Sequence, residues 1–303
     1  MAEIKQLPHG VQIGNIEFIW GHNSKDIFFS NSILIHDPNT TIVDPSASFS
    51  YLESVASQKI VKFVLNTHYH ADHRSLGSLF KEAKFICHKL DLPAIANFEN
   101  YLKYADTEES FYKEWLRMLF SSLDMMERHI SLNVEDGDYL DLKENKVKVV
   151  HLPGHTPGHI GLLFEDISLL FTSDIDLTPM GPWYANIVSD IDQFLRSLSR
   201  IRNIHVEHYV TSHGGRIYDR EKFTQKVMRF EKDIHDRDAQ ILEALKTGPK
   251  TVAELSASGI IYRKAMLVNP LYASFERQMI QKHLQRAANL GKVREENGLW
   301  HLV

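Results

Sequence analysis

The segment Thr67-His68-Tyr69-His70-Ala71-Asp72-His73 sets three imidazoles and one carboxylate within six residues, directly after the apolar run Val61 to Leu65 and Asn66. Imidazole and carboxylate are ligands for divalent cations. Such side chains mostly stay at surfaces, so a strand that delivers four of them to one loop has a reason to do so. A polar loop that happens to be rich in histidine is the plain alternative. It weakens once the rest of the chain supplies partners. His155 lies in Pro153-Gly154-His155-Thr156-Pro157-Gly158-His159, Asp174 follows the apolar run 168–172, and His213 follows Tyr209 to Thr211. Four strands thus present a metal-ligand type just past their C-terminal ends, the edge where open α/β sheets build sites. Seven ligands suffice for two metals with a position open to water. The lone Cys87 excludes an internal disulfide and a thiolate-rich zinc site, and fits a reducing compartment.

Those strands need a scaffold. Residues 11–20, 32–36 and 41–43 read as strands, the last ending in Asp44-Pro45. Residues 49–58 and 76–83 suit helices, and 85–88 a strand, so alternating elements predict an α/β layer architecture. Residues 91–130 break this rhythm as a helical insert. One helix is expected over Pro93 to Lys103. A second follows an N-cap at Thr107 with Glu108 and Glu109 in its first turn, its stripe made by Phe111, Trp115, Leu119, Leu123 and Met126. The insert's aromatics pack against the body or wall an apolar substrate pocket. Strands are expected again at 138–142, 146–152, 160–164, 168–172 and 209–211, and helices at 190–203 and 219–246.

The last part is helical: Thr251 to Glu254 forms a capping box, Ser274 to Leu290 a further helix, and Asn297-Gly298 a hairpin turn. Three helices and a hairpin follow the winged-helix pattern. The division expected is a catalytic domain over 1–230 and a C-terminal domain over 231–303. From Lys246 onward nine Lys and Arg face four Glu, a balance of +5, which leaves −10 for residues 1–245 out of the total of −5. A basic tail suits an anionic partner or simply a solvated face. The first residues carry no signal-peptide pattern and no run reaches the length of a membrane helix, so a cytoplasmic protein with no membrane partner is expected.

Taken in order, His-x-His-x-Asp-His, then Gly-His-Thr-Pro-Gly-His, then strands ending in Asp174 and His213-Gly214, resemble the metallo-β-lactamase superfamily over about residues 10–215. The resemblance implies an αββα sandwich with the site at one edge of two sheets. It implies a first metal on His68, His70 and His155, and a second on Asp72, His73 and His213, with Asp174 bridging. Asp44 resembles the family's structural aspartate. Within the superfamily the pattern is similar to the glyoxalase II-like hydrolases, and the tail is similar to the subgroup containing lactamase-like protein 2. Ser173 stands where many relatives have glycine.

The expected cofactors are two divalent ions, zinc first, with iron or manganese as alternatives. They would activate a water for attack on a carbonyl carbon or a phosphorus, and Asp72 can take its proton. His159 reads as a supporting histidine. Trp183 and Tyr184, on the loop after Asp174, are the candidates for substrate contact, with the Tyr184 phenol able to donate to an oxyanion; ordinary packing is the competing reading. Hydrolysis of a small acyl thioester or ester leads. The alternatives are a metal-dependent endoribonuclease gripping RNA through the basic tail, a lactonase, or an iron-dependent redox member. A homodimer or lid role for the tail completes the set.

Overall fold

Along each central strand, alternate apolar side chains point to opposite layers, and this alternation defines the architecture. The computed structural model describes residues 3–21, 29–105 and 110–303, with only the backbone at 110 and 111. In order, its elements are β1 (Ile4–Leu7), β2 (Gly10–Ile13), β3 (Ile16–Ile19), β4 (Ser32–Ile35), β5 (Thr41–Val43), α1 (Phe49–Gln58), β6 (Phe63–Asn66), β7 (Lys84–His88), α2 (Leu92–Ala96), α3 (Phe98–Ala105), α4 (Ser110–Ser122) and β8 (Leu132–Val134). There follow β9 (Val147–His151), β10 (Ile160–Phe164), β11 (Leu169–Phe171), α5 (Ile191–Arg202), β12 (His208–Val210), β13 (Ile217–Tyr218), α6 (Arg220–Leu245), α7 (Val252–Ser256), α8 (Pro270–Asn289), β14 (Val293–Glu296) and β15 (Leu299–Leu302).

One sheet runs β1 to β8 in chain order, antiparallel to β5 and parallel from there on. The other has the order β13-β12-β11-β10-β9, with β11 and β12 parallel. Ile33 and Ile35 of β4 meet Leu162, Phe164 and Phe171 between the sheets, while Leu34 faces outward onto Leu52 and Val55 of α1. On the second sheet Leu170 and Tyr209 face outward onto Phe194 of α5 and Phe223 and Val227 of α6. The result is an αββα sandwich, as expected. Among the described residues no helix is long and apolar enough to cross a membrane.

Local differences from the expected elements have physical causes. Residues 11–20 form two strands of a hairpin, paired from Gly10 with Ile19 to Ile13 with Ile16. The helix expected over 76–83 is only a 3-10 turn, Gly77–Phe80. Residues 138–142 make a single bridge, Tyr139 to Lys148. The helix expected over 93–103 breaks at Asn97, whose Oδ1 accepts from the amides of Glu99 at 2.9 Å and Asn100 at 3.2 Å, the capping role Asn favours. The predicted cap Thr107, with Glu108 and Glu109, lies outside the described residues, as does the Phe111 side chain. Helix α4 buries Leu116 and Phe120, not the expected stripe; Trp115 is 41% exposed. Within the helix the inward face is Leu116 and Phe120 with Tyr112 partly buried beside them, one position away from the predicted phase and closed over Phe98, Tyr101 and Tyr69; of the expected stripe, Leu123 and Met126, just past the helix, pack against the same cluster.

Helix α6 runs unbroken across position 230 and serves two cores. Its first half lies on the second sheet; its last turns, through Ile241 and Leu245, join Leu255, Ile280, Leu284 and Trp300 in a C-terminal core. The capping box at Thr251 and Glu254 is formed, and β14 and β15 pair around Asn297-Gly298.

Candidate metal centre

All seven predicted ligands converge. The loop after β6 carries His68, His70, Asp72 and His73, turned inward by the 3-10 turn Ala71–His73. His155 follows β9, Asp174 follows β11 and His213 follows β12, so both sheets contribute. Two four-residue groups result, His68, His70, His155 and Asp174, and Asp72, His73, Asp174 and His213, each with its ligand atoms within 4.8 Å of one another.

In the first group His70 Nδ1 is 3.0 Å from both His68 Nε2 and His155 Nε2, and Asp174 Oδ2 is 3.3 Å from His155 Nε2 and 3.7 Å from His68 Nε2. In the second, Asp174 Oδ1 is 3.0 Å from His73 Nε2 and 3.5 Å from His213 Nε2, while Asp72 Oδ2 is 3.5 Å from His213 Nε2 and 3.7 Å from His73 Nε2. A tetrahedron drawn around a cation held by bonds near 2.0–2.1 Å has edges of about 3.3–3.4 Å, so the donors match that spacing. The buried atoms His73 Nε2 and Asp174 Oδ1 have no hydrogen-bond partner. A cation between them satisfies both, and the residues fit two divalent ions with Asp174 shared.

The surroundings fix each ring. Asp44, buried and at φ 47°, accepts from the Thr67 amide at 2.8 Å and the Thr67 hydroxyl at 2.6 Å, and lies 2.9 Å from His73 Nδ1. It orients the His73 ring, as carboxylates behind metal-bound histidines do. His159 donates from Nδ1 to the Leu152 carbonyl and accepts the Asp174 amide at Nε2, 3.0 Å away. Burial holds its pKa down at about 3, so it stays neutral and positions the shared carboxylate. The supporting role expected for His159 is the one its bonds describe.

Ser173 takes φ 49°, the left-handed region that favours glycine, and its hydroxyl lies 2.7 Å from Thr67 Oγ1 and 3.3 Å from Ser212 Oγ. The hydroxyl joins the loops that carry the ligands and offsets the backbone strain.

The electrostatics divide the groups. Burial, reinforced by neighbouring imidazoles, holds His68 and His70 well below the usual histidine range. Burial also pushes His73 down, but Asp174, Asp72 and Asp44 outweigh it and hold His73 well above that range. His213 is raised to about 10 because Asp174 and Asp72 overcome the same burial. Burial alone would raise Asp174; His73, His213 and His68 keep it well below the usual carboxylate range. Imidazole and carboxylate concentrated this densely make a site that attracts cations.

Two residues escaped the sequence reading. Asp91 is buried and accepts from the Tyr69 amide at 3.1 Å, the Thr156 hydroxyl at 2.6 Å and the Gly158 amide at 2.6 Å, tying the His68 loop to the His155 loop. Burial raises its pKa to about 6 against those three donors. Asn186, also buried, places its amide 2.5 Å from His70 Nε2 and against the Tyr69 hydroxyl. Nothing in their local sequence marks either one.

Of the two predicted substrate contacts, Trp183 is half-buried with its ring 5.3 Å from that of His70 and 5.4 Å from that of His155. Tyr184 is a correction. It is fully buried, its hydroxyl lies 2.8 Å from His283 Nε2 and accepts from Arg237 Nη1 at 2.8 Å, so it cannot reach an oxyanion. The residues that claim it stand on α6 and α8, far along the chain.

The profile of the Metallo-beta-lactamase superfamily matches residues 26–213. The hydroxyacylglutathione hydrolase of Prochlorococcus marinus is 24% identical over 251 residues, 79% of this chain and 77% of its own length. The hydroxyacylglutathione hydrolase of Methylococcus capsulatus is 25% identical over 221 residues, 70% of each chain. In structure, a metallo-beta-lactamase family protein from Thermus thermophilus superposes with a TM-score of 0.72 at 20% identity, covering 95% of this chain and 99% of that one. The fold match therefore extends past residue 213 into the C-terminal helices. With the profile covering more than half of it, the chain belongs to the metallo-beta-lactamase superfamily, as one of its hydrolases.

Proposed function

We propose that this hydrolase cleaves a small acyl thioester or ester, with two divalent cations, zinc in our reading, held by His68, His70, His155 and Asp174 and by Asp72, His73, His213 and Asp174. When bound, such ions supply a water acidic enough to attack at neutral pH and polarise the electrophile's oxygen. The observation that carries the reading is the pair of ligand groups sharing one carboxylate.

The chain's own residues supply the rest. The Asp72 side chain is 31% exposed, against 14% for His213 and 11% for Asp174, so it meets incoming solvent first and is placed to accept the water's proton. Trp183 offers an apolar face beside His70 and His155 for the acyl portion. Its far edge is braced by Phe275 of α8 at 5.2 Å, so the C-terminal helices, in winged-helix order, serve as a wall behind the substrate loop.

Two observations favour an acyl substrate over RNA. The relatives named above act, by their names, on an acylated glutathione, which is a thioester. Two of the basic side chains of α8 are tied to the protein: Lys282 donates to the carbonyls of Ile187 and Ser189, and Arg286 pairs with Asp192 and Asp238, while Arg277 is exposed. Phosphate grip through that helix is correspondingly weak.

The test is a panel of acyl thioesters, esters, lactones, β-lactams and single-stranded RNA, with metal content measured on the same sample. Turnover of a thioester or ester, lost on chelation, supports the reading. Metal-dependent cleavage of RNA that falls steeply with added salt, with acyl compounds untouched, overturns it.

A further inference from the structure

Residues 175–190, between β11 and α5, form neither helix nor strand, yet most of the stretch from Gly181 to Asp190 is buried. Irregular buried backbone needs donors for its carbonyls from elsewhere in the fold. Here they come from cations of the C-terminal helices. On α6, Lys226 donates to the Leu177 carbonyl at 3.2 Å and Arg237 to that of Pro182 at 2.8 Å. On α8, Lys282 donates to the carbonyls of Ile187 at 2.9 Å and Ser189 at 2.8 Å. One ammonium therefore draws together two carbonyls two residues apart. It braces the turn 186–189, across which the Ser189 amide donates to the Asn186 carbonyl at 3.0 Å.

The other side of that turn is bonded to the His155 loop. Ser189 Oγ donates to the His155 carbonyl at 2.7 Å, and the Asp190 amide to the Gly154 carbonyl at 2.9 Å. Six residues before Ser189, Trp183 sets its ring against those of His70 and His155. A single residue, Ser189, thus separates Lys282 from the backbone of His155, and the same segment carries the acyl contact. We propose that Lys282 is a positioning residue for hydrolysis. By pinning the turn at 187–189 it holds Trp183 and the His155 loop in register, so that an acyl group on the indole lies against the metal centre. Lys282 itself touches no reacting atom. The proposal rests on the reading of Trp183 as the acyl contact.

The experiment uses the full chain loaded with zinc, as wild type, Lys282→Met, Lys282→Arg and Ser189→Ala. Hydrogen exchange at the amides of Ser189 and Asp190 is read without any substrate. Zinc content and steady-state kinetics on an S-acyl glutathione and a p-nitrophenyl ester are measured on the same samples. Lys282→Met keeps the reach of the side chain and donates nothing. It is expected to lose protection at those two amides, to keep its zinc, and to lower kcat/KM about 10- to 100-fold, as a small misplacement made away from the chemistry does. Lys282→Arg, whose fork of donors suits both carbonyls, restores the protection and most of the turnover. Ser189→Ala leaves Lys282 its two carbonyls but cuts the bond to His155, and lowers kcat/KM in the same direction.

A lysine with a merely structural role would shift the melting temperature of Lys282→Met and leave the turnover of folded, zinc-loaded protein at wild-type values. That result overturns the proposal, as does unchanged exchange in Lys282→Met or a Lys282→Arg variant that restores neither readout. Should Lys282→Met fail to fold, Ser189→Ala decides it, and a wild-type kcat/KM there overturns the proposal. A wild type inert towards both acyl compounds sinks the reading of function instead. Exchange at Ser189 and Asp190 still reports whether Lys282 holds the turn, so the two failures are told apart.

Discussion

Asp91 and Gly158 stand so close that the glycine amide donates to Oδ1 at 2.6 Å and a Cβ on Gly158 would lie 2.7 Å from the Asp91 Cγ. The second glycine of the His155 loop is thus fixed by space, since only a residue without a side chain lets the loop reach the carboxylate. Gly154, at φ 129° and pressed against the backbone of Phe194, is fixed by both conformation and space. Gly158→Ala is expected to destabilise the fold by about 1–3 kcal/mol and to displace His155. Asp91→Ala, which strands three buried donors, costs a similar or larger amount. Urea denaturation checks both; wild-type stability in either variant refutes this account of the loop.

Asp174 gives one oxygen to each ligand group. Asp174→Ala should therefore lower metal content at both positions, whereas His213→Ala should spare the group built on His68, His70 and His155. Metal analysis after dialysis reads the difference, and chelation of the wild type should abolish turnover. Equal losses in the two variants would contradict the shared carboxylate.

Ser173 separates backbone strain from hydrogen bonding. Ser173→Ala keeps the left-handed conformation and loses the link to Thr67, and is expected to cost about 1–2 kcal/mol. Ser173→Gly loses the same link but relieves the strain, so its cost is smaller. Chemical denaturation ranks them; a glycine variant less stable than the alanine variant would show that the positive φ carries no penalty here.

Tyr184 is held by Arg237 and His283, so Tyr184→Phe should lower stability by about 1–2 kcal/mol and leave kcat near wild type. A phenol that stabilised an oxyanion would instead cost about a hundredfold or more in kcat. Steady-state kinetics beside a melting curve tells the two apart.

Glu17 belongs to a cluster that contains none of the metal-ligand residues, buried between His36 at 2.9 Å, His9 at 2.5 Å and the Tyr51 hydroxyl. Burial would raise its pKa, but the bonds from His36, Tyr51 and His9 outweigh this and lower it to about 2. The unfolded chain then binds the extra proton first as the pH drops. Stability from Glu17 is complete above about pH 4.5 and disappears as the pH falls towards 2. Glu17→Gln should cost about 1–3 kcal/mol at neutral pH, and its gap from wild type should close over that window. Unfolding midpoints measured across it provide the check, and a constant gap would exclude the linkage.

The ligands were legible because each is a polar side chain placed at the end of an apolar strand, a pattern that needs no knowledge of distant contacts. The sandwich was legible for the same reason, since α1, α5 and α6 show their spacing locally. Asp91, Asn186 and the placement of Tyr184 were not. Each is decided by partners tens of residues away, and an aspartate after a strand or an asparagine in a loop looks ordinary until the chain is folded. The phase of α4 was misread by one position because aromatic residues lie on both of its faces, and burial, not composition, chose between them.

Four ligands hang from the first sheet and three from the second. A bound cation therefore works as a clasp across the two halves of the sandwich, and its binding free energy becomes resistance to their separation. Melting temperature should climb with free metal concentration, as for any ligand that recognises only the closed form, so that the availability of an ion in the surroundings sets how long the protein lasts as well as how fast it turns over.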